Sequence, residues 1–538
     1  MTSSIAHNEK RTPDSTSGQG KDLGEAIDLD DAVLRAQGHV AELERSFSWV
    51  GAIGLAYSIV NSWLTYAVIF GMNLKYGGGQ TAVFALIVAA AVQWIVFLGL
   101  AELCSAMPSS GGQYHFTHII APRFSKGFAA FAVGIINVVA WWINTAAGVF
   151  QPAISAFGIA MLWYPEVTGE QWQVYLCYLL VMILTLIPIF TIPKKRLDYM
   201  TKAAMLLSIL GFFLVITVCL VMGRGHYHPI TVIEYRGASG WGPGPAWLMS
   251  IGVGQFPFAG ISACTHIAEE MPRPGRRLPR VINMTMAIGI LTAAPWIVIM
   301  TTTITDMEAV QNAFSPSMEV FHQATGSKAV ATFLQAYLTL LYYSKIQYPG
   351  VRNLSHKLNT ACVPSQWITS SRIAWAFSRD HGLPFSSYFN HVDSKRHFPV
   401  RTTFLAVGFC VIYGLLYVAS TEAFNSIVNT AILMVNITYT VPQGILATCG
   451  RKRLPRRSFN LGPVVGYAVN VFSVLWLIIS GIFFCFPATK PTSLGNMNYN
   501  SVVISGLFAV LLILWIERRK KFKGPEIDLD TLNASNVL

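Results

Sequence analysis

The chain has 538 residues, 53% of them hydrophobic and only 12% charged, with a mean hydropathy of +0.48. That composition excludes a large soluble core and reads as a polytopic membrane protein. A formal net charge of +12 raises the question of nucleic acid, which the location of the charges answers below.

Residues 1–30 are polar and Ser/Gly/Asp-rich, expected to stay disordered rather than to act as a cleavable signal. Residues 31–45 carry apolar side chains at helical spacing, as a short helix lying along the membrane surface or packing under the bundle. Twelve apolar runs follow, roughly at 47–72, 81–105, 127–153, 173–192, 199–222, 247–268, 281–304, 329–343, 402–419, 424–447, 462–486 and 499–517. Of the eight cysteines, six lie inside these runs and none has CxxC spacing, so neither a disulfide framework nor a metal site is indicated.

Of the 38 Lys and Arg residues, thirty fall before the first run, after the last, or on every second loop. Five (Lys75, Arg224, Arg236, Lys328, Lys490) fall on the opposite side, and Lys345, Arg352 and Lys357 lie in an anomalous segment. This asymmetry predicts that both termini are cytoplasmic. The basic excess is thereby a topology signal, and no nucleic-acid partner is needed to explain it.

The run at 247–268 is interrupted by Gly252, Gly254, Pro257 and Gly260 and ends in Glu269, Glu270, Arg273, Arg276, Arg277 and Arg280. A helix broken at membrane depth strands backbone polar groups, which is tolerable where they line a cavity or bind something. A Pro-kinked structural helix is the alternative. The first run carries Gly51, Gly54, Ser58, Asn61 and Ser62 in its first half, permitting an unwound middle around 56–59. Runs one and six open two five-helix halves, and interrupted helices at matching places point to a transporter of inverted repeats. Half-helix N-termini near 58–61 and 261–263 would then offer N–H groups to a carboxylate.

Glu102, Pro108 and Gly111-Gly112 form a chain reversal between runs two and three; without a preceding strand or a following Lys-Ser/Thr it is no phosphate cradle. The stretch 101–116, AELCSAMPSSGGQYHF, resembles a signature of the amino acid–polyamine–organocation permeases. THIAEEMPRPGRRLP at 265–279 resembles the cytoplasmic end of that superfamily's helix six, and SRIAWAFSRDHGLPFS at 371–386 its motif after helix eight. With PATKPTSLGNMNY at 487–499, these are most similar to the fungal subgroup of GABA, choline and general amino-acid permeases. The resemblance spans about 45–520. It implies an all-α integral membrane fold of twelve helices, a five-plus-five inverted-repeat core resembling the leucine transporter, and two peripheral helices. The implied organisation is a cytoplasmic tail (1–45), a ten-helix core (46–450), helices eleven and twelve (451–517) and a second cytoplasmic tail (518–538). It further implies no enzyme activity and no cofactor, but proton-coupled uptake of a small zwitterion or cation across a plasma membrane. Ile261-Ser262 departs from the acidic or larger polar residue that many relatives have after the helix-six Gly, which leaves the substrate class open.

On these grounds the expected substrate site comprises Ala56, Tyr57, Ser58, Ile59 and Asn61 from the first run, Trp141 from the third, and Phe258, Ala259, Gly260, Ile261 and Ser262 from the sixth. No Asp or Glu lies near a predicted midplane, so an ammonium would meet half-helix carbonyls and the faces of Tyr57, Trp141, Trp142 or Phe258. The alternative for these aromatics is packing or lipid contact. His266, Glu102 and Lys202 are the ionisable groups near the membrane and the candidates for proton coupling; a structural hydrogen bond is the alternative for His266 and a snorkelling anchor for Lys202. The expected substrate is GABA or another small amino acid; a choline or polyamine permease of the same fold is the alternative within transport, and a transporter-like nutrient sensor is the reading from another functional class.

The eighth run is only about 15 residues long, too short to span. Residues 344–364 then bring two Pro, a Gly, three basic residues, a His and two Asn. Joining Tyr343 to Ser365 restores one apolar helix running into the 371–386 motif. The economical account is a foreign insert, a retained intron translated in frame; the alternative is a genuine cavity-lining loop.

Overall fold

The computed structural model describes residues 30–39, 45–164, 166–191, 197–343, 362–394, 398–493 and 497–522, with 524, 525 and 528. Apart from one isolated β-bridge between Asp393 and Phe398, the regular structure among them is helical. This is what long apolar runs dictate, because in hydrocarbon a helix satisfies its own backbone.

The first run folds as α1 (Trp49–Val60) and α2 (Ser62–Gln80). A π-helical turn (Thr81–Ala85) leads into α3 (Leu86–Ala106). The 58-residue stretch Trp49–Ala106, interrupted at Asn61 and at Gly77-Gly78, holds the first two predicted runs. Gly77 and Gly78 leave helical geometry between them, Gly78 at φ 71°. A Cβ on Gly78 would lie 2.9 Å from the Arg236 backbone N, so glycine is required there on both counts.

Next come α4 (Gln113–Ile120), a short helix at the basic end, and α5 (Lys126–Trp163), a 38-residue post. Two helices, α6 (Gln171–Thr191) and α7 (Leu197–Met222), precede the interrupted sixth run. That run folds as α8 (Pro243–Gln255) and a 3-10 segment, Phe256–Glu270. After it come α9 (Pro274–Thr302), the short α10 (Met307–Asn312) and α11 (Pro316–Thr325), and α12 (Lys328–Tyr343). The chain continues with α13 (Cys362–Arg379), α14 (Ser386–Phe389), α15 (Val400–Ala419), α16 (Thr421–Cys449), α17 (Pro463–Phe483) and α18 (Asn500–Arg518).

Ten stretches among the described residues are long and apolar enough to cross a membrane. Burial sorts them: 78% of the apolar window in Pro243–Glu270 is buried, against 28% for α17 and 11% for α18. The interrupted helix is thus the centre and α18 the most exposed, with Val502 and Ile513 turned outward, while α17 is no less buried than α6 and α7. The two interrupted helices pack on each other, while α5 is flanked by α12, α13 and α16. The fold is an all-α integral membrane protein of the predicted kind.

The expected insert falls almost wholly on 344–361, which lie outside the described residues. Cys362, Val363 and Pro364, assigned to it from sequence, form the first turn of α13.

Candidate functional site

The two helix breaks face each other. The first is at Val60 and Asn61 rather than 56–59. The helical ladder still runs through that stretch, since the Asn61 N–H donates to the Tyr57 carbonyl at 2.7 Å. The chain turns at Asn61, which is left-handed (φ 32°, ψ 64°), and Asn is among the few residues besides Gly that adopt this geometry readily. Its side-chain oxygen accepts from Ser208 Oγ at 2.7 Å, which itself accepts from Trp63 Nε1 at 3.0 Å. Thr65 Oγ1 donates to the freed Val60 carbonyl at 2.6 Å.

At the second break Pro257 cannot donate, and the tighter 3-10 winding leaves carbonyls to outside donors. Ser62 Oγ donates to the Pro257 carbonyl at 2.8 Å and Tyr439 Oη to that of Ala259 at 2.6 Å. Gly260 carries no side chain where Ile59 Cγ2 and Val60 Cγ1 come within 3.0 and 3.2 Å of its absent Cβ.

A cavity of about 40 Å³ lies at this junction. The breaks contribute Ile59, Val60, Thr65, Phe256, Ala259 and Gly260; α5 contributes Trp141, Asn144, Gly148 and Gln151; Tyr342 and Gln366 come from α12 and α13. A second, larger cavity of about 300 Å³ shares Gln151 and Phe256 with the first. It continues past Val68, Met72 and Phe150 to Tyr76, Phe314 and Phe486, toward the end opposite the basic loops. Neither lining contains Asp, Glu, Lys, Arg or His.

Of the expected site residues, the structure brings Ile59, Trp141, Ala259 and Gly260 to the small cavity. Ala56, Tyr57, Ser58, Asn61, Phe258, Ile261 and Ser262 are buried beside it without lining it. Tyr57 Oη donates to Thr292 Oγ1 at 3.3 Å, Ser58 Oγ to Ser365 Oγ at 3.1 Å, and Ser262 Oγ lies 2.5 Å from Tyr439 Oη. Trp142 packs on Phe409 instead.

Sequence reasoning missed Asn144, Gln151 and Gln366. Their signal was weak: amides such as Gln93, Asn137, Gln255 and Asn436 recur inside this chain's apolar runs, where they serve as interhelical hydrogen-bonding groups. The Oε1 atoms of Gln151 and Gln366 and the Nε1 of Trp141 are buried without a hydrogen-bond partner. Two acceptors and one donor thus stand open at one small cavity.

The basic end is built in the opposite way. Arg372 and Glu270, both fully buried, form a forked ion pair whose second contact is 2.8 Å. Arg379 meets Glu269 at 3.1 Å, and Glu102 meets both Arg451 and Arg457 at 2.7 Å. His266 Nδ1 lies 3.0 Å from the Ser110 carbonyl, and Lys202 pairs with Asp198 at 2.6 Å. The three proton-coupling candidates therefore sit in these networks, and none lines either cavity. In the loops, burial with the help of His39 holds His115 well below the usual imidazole value, and burial lowers His118 to about 4. Burial would raise Asp380, but its hydrogen bond with His39 and the Arg379 charge bring it down to about 2.

A family model described as "amino acid permease" matches residues 47–508. The chain belongs to the amino acid permease family. It is 27% identical to the choline transporter of Saccharomyces cerevisiae over 92% of this chain and 84% of that protein. The amino-acid permease BAT1 homolog of Oryza sativa subsp. japonica is 26% identical over 97% of this chain and 99% of its own length. The swainsonine transporter swnT of Arthroderma benhamiae is 26% identical over 89% and 92%. These permeases are similar to the present one along nearly the whole chain.

Proposed function

We propose that this permease imports a small zwitterionic amino acid, GABA or a relative, by alternating access with proton symport. The importing membrane in this reading is the plasma membrane, with both termini in the cytoplasm. The open hydrogen-bonding groups at the small cavity carry this reading. A primary ammonium donates to the Oε1 atoms of Gln151 and Gln366, and a carboxylate accepts from Trp141 Nε1. A buried polar group left unpaired costs about 1–3 kcal/mol, so a ligand that pairs all three gains most.

The cavity of about 40 Å³ holds only a head group, roughly three waters by the same measure. The rest of the substrate extends along Phe256 toward the larger cavity.

Choline is the second reading, favoured by the yeast relative's name and the uncharged aromatic wall. A quaternary ammonium has no N–H to donate, and its hydroxyl satisfies one acceptor at most. Competition for uptake in cells lacking their own permeases separates the two. Labelled GABA uptake blocked by small amino acids, but not by choline or by an amino-acid ester, is the expected result. Effective competition by the ester would sink the zwitterion reading.

A further inference from the structure

Three metal-ligating side chains from distant parts of the sequence meet beneath the basic end. His39 comes from the segment preceding the first span, His115 from α4, and Asp380 from the residue after α13. All three are buried, and one ligand atom from each lies within 4.8 Å of the others. His39 Nε2 is 3.0 Å from Asp380 Oδ1, and the two imidazole rings stand 5.2 Å apart at 43°.

The protein does not complete this cluster. Both nitrogens of His115, fully buried, and Nδ1 of His39 have no hydrogen-bond partner. Buried polar groups are normally paired, so two such rings facing one carboxylate call for an occupant. The neighbouring Arg379 is matched by Glu269 at 3.1 Å, which leaves the Asp380 charge facing the imidazoles. Tyr114 Oη donates to Asp380 Oδ2 at 2.9 Å, holding the carboxylate in the manner of an outer-shell partner of a metal ligand.

We propose that His39, His115 and Asp380 bind a divalent transition metal of the zinc class. Two neutral imidazoles and one carboxylate, with a fourth position open, is a donor set that suits Zn2+. The ion would staple the N-terminal segment to α4 and to the end of α13. Scattered over positions 39, 115 and 380, the residues show no ligand spacing in the sequence.

The test uses the full chain in detergent, stripped with chelator and titrated with Zn2+ by calorimetry, with Co2+ as a spectroscopic stand-in. One ion per chain and a four-coordinate Co2+ spectrum are expected. His39→Gln or His115→Gln should weaken binding by about 100-fold or more, while His118→Gln leaves it unchanged. His39 precedes the spans, so its variant keeps the test valid if His115→Gln does not fold. Zn2+ should also slow tryptic cleavage after the exposed Arg35 in the parent and not in His39→Gln. No stoichiometric binding, binding that survives both substitutions, or cleavage unaffected by Zn2+ would overturn the proposal.

Discussion

The small cavity is lined without an ionisable acid or base, yet holds two acceptors and a donor with nothing to bond. The basic end buries Glu102, Glu269 and Glu270, and each has its arginines. One region leaves buried polar groups open, whereas the other pairs its buried carboxylates with arginines. An incomplete buried site gains from a ligand, whereas closed ion pairs resist separation, because a lone buried charge is far costlier than a pair. In the proposed reading, recognition rests on the open polar groups and closure on the ion pairs. The larger cavity runs toward the end opposite these ion pairs.

The largest effect should come from breaking the closed region. Arg372→Ala or Glu270→Ala removes one partner of a fully buried ion pair, at a cost of about 3–5 kcal/mol. Thermal unfolding in detergent should show a marked loss of stability for either. The double variant Glu270→Met with Arg372→Met should recover most of it, since an apolar pair of similar volume carries no stranded charge. A double variant no more stable than the singles would show that the pair is not an independent latch.

In the incomplete region the steric test comes next. Gly260→Leu should abolish uptake while leaving the protein in the membrane, because Ile59 and Val60 already crowd the Cβ position. Gly148→Ala acts indirectly: its Cβ would stand 2.0 Å from Gln366 Oε1 and must push the amide aside. Wild-type uptake by surface-expressed Gly260→Leu would remove this junction from the transport path. Smaller still are Gln151→Met and Gln366→Met, each deleting one acceptor. Either should raise the KM for the amino acid about tenfold, near 1.4 kcal/mol for a bond to a charged group. Competition by choline should change less, since choline uses one acceptor at most.

The sequence made the second break legible because Gly and Pro announce it, and the first only approximately. Gly and Ser around 51–58 suggested unwinding there, but those glycines serve close approach instead. A Cβ on Gly51 would lie 1.7 Å from Asp198 Oδ1, and one on Gly54 2.6 Å from the Thr201 carbonyl. The left-handed turn falls on Asn61, whose geometry depends on Ser208, 147 residues away. The cavity amides carry neither a charge nor an aromatic ring, the two signals by which a membrane site is usually read. The end-to-end ion pairs escaped because Glu270 and Arg372 are 102 positions apart, and no local pattern relates them.

Lys202 offers the smallest predicted effect and the sharpest boundary between the two regions. It lies on α7 at the basic end, four residues beyond Asp198, with a third of its side chain exposed. An ion pair of this kind contributes only about 0.2–1 kcal/mol. Asp198 also holds the start of α1, because its Oδ1 accepts from the Ser48 N–H at 2.8 Å and from Ser48 Oγ at 2.9 Å. Lys202→Met should therefore leave both thermal stability and the pH profile of uptake close to the parent's. Asp198→Ala should lower stability clearly, because the Ser48 contacts go with it. A proton-coupling lysine would behave otherwise, and its replacement by Met would flatten the pH profile while folding stayed intact. That outcome would move one functional charge into the region assigned here to closure alone, and the division between the two chemistries would fail at α7.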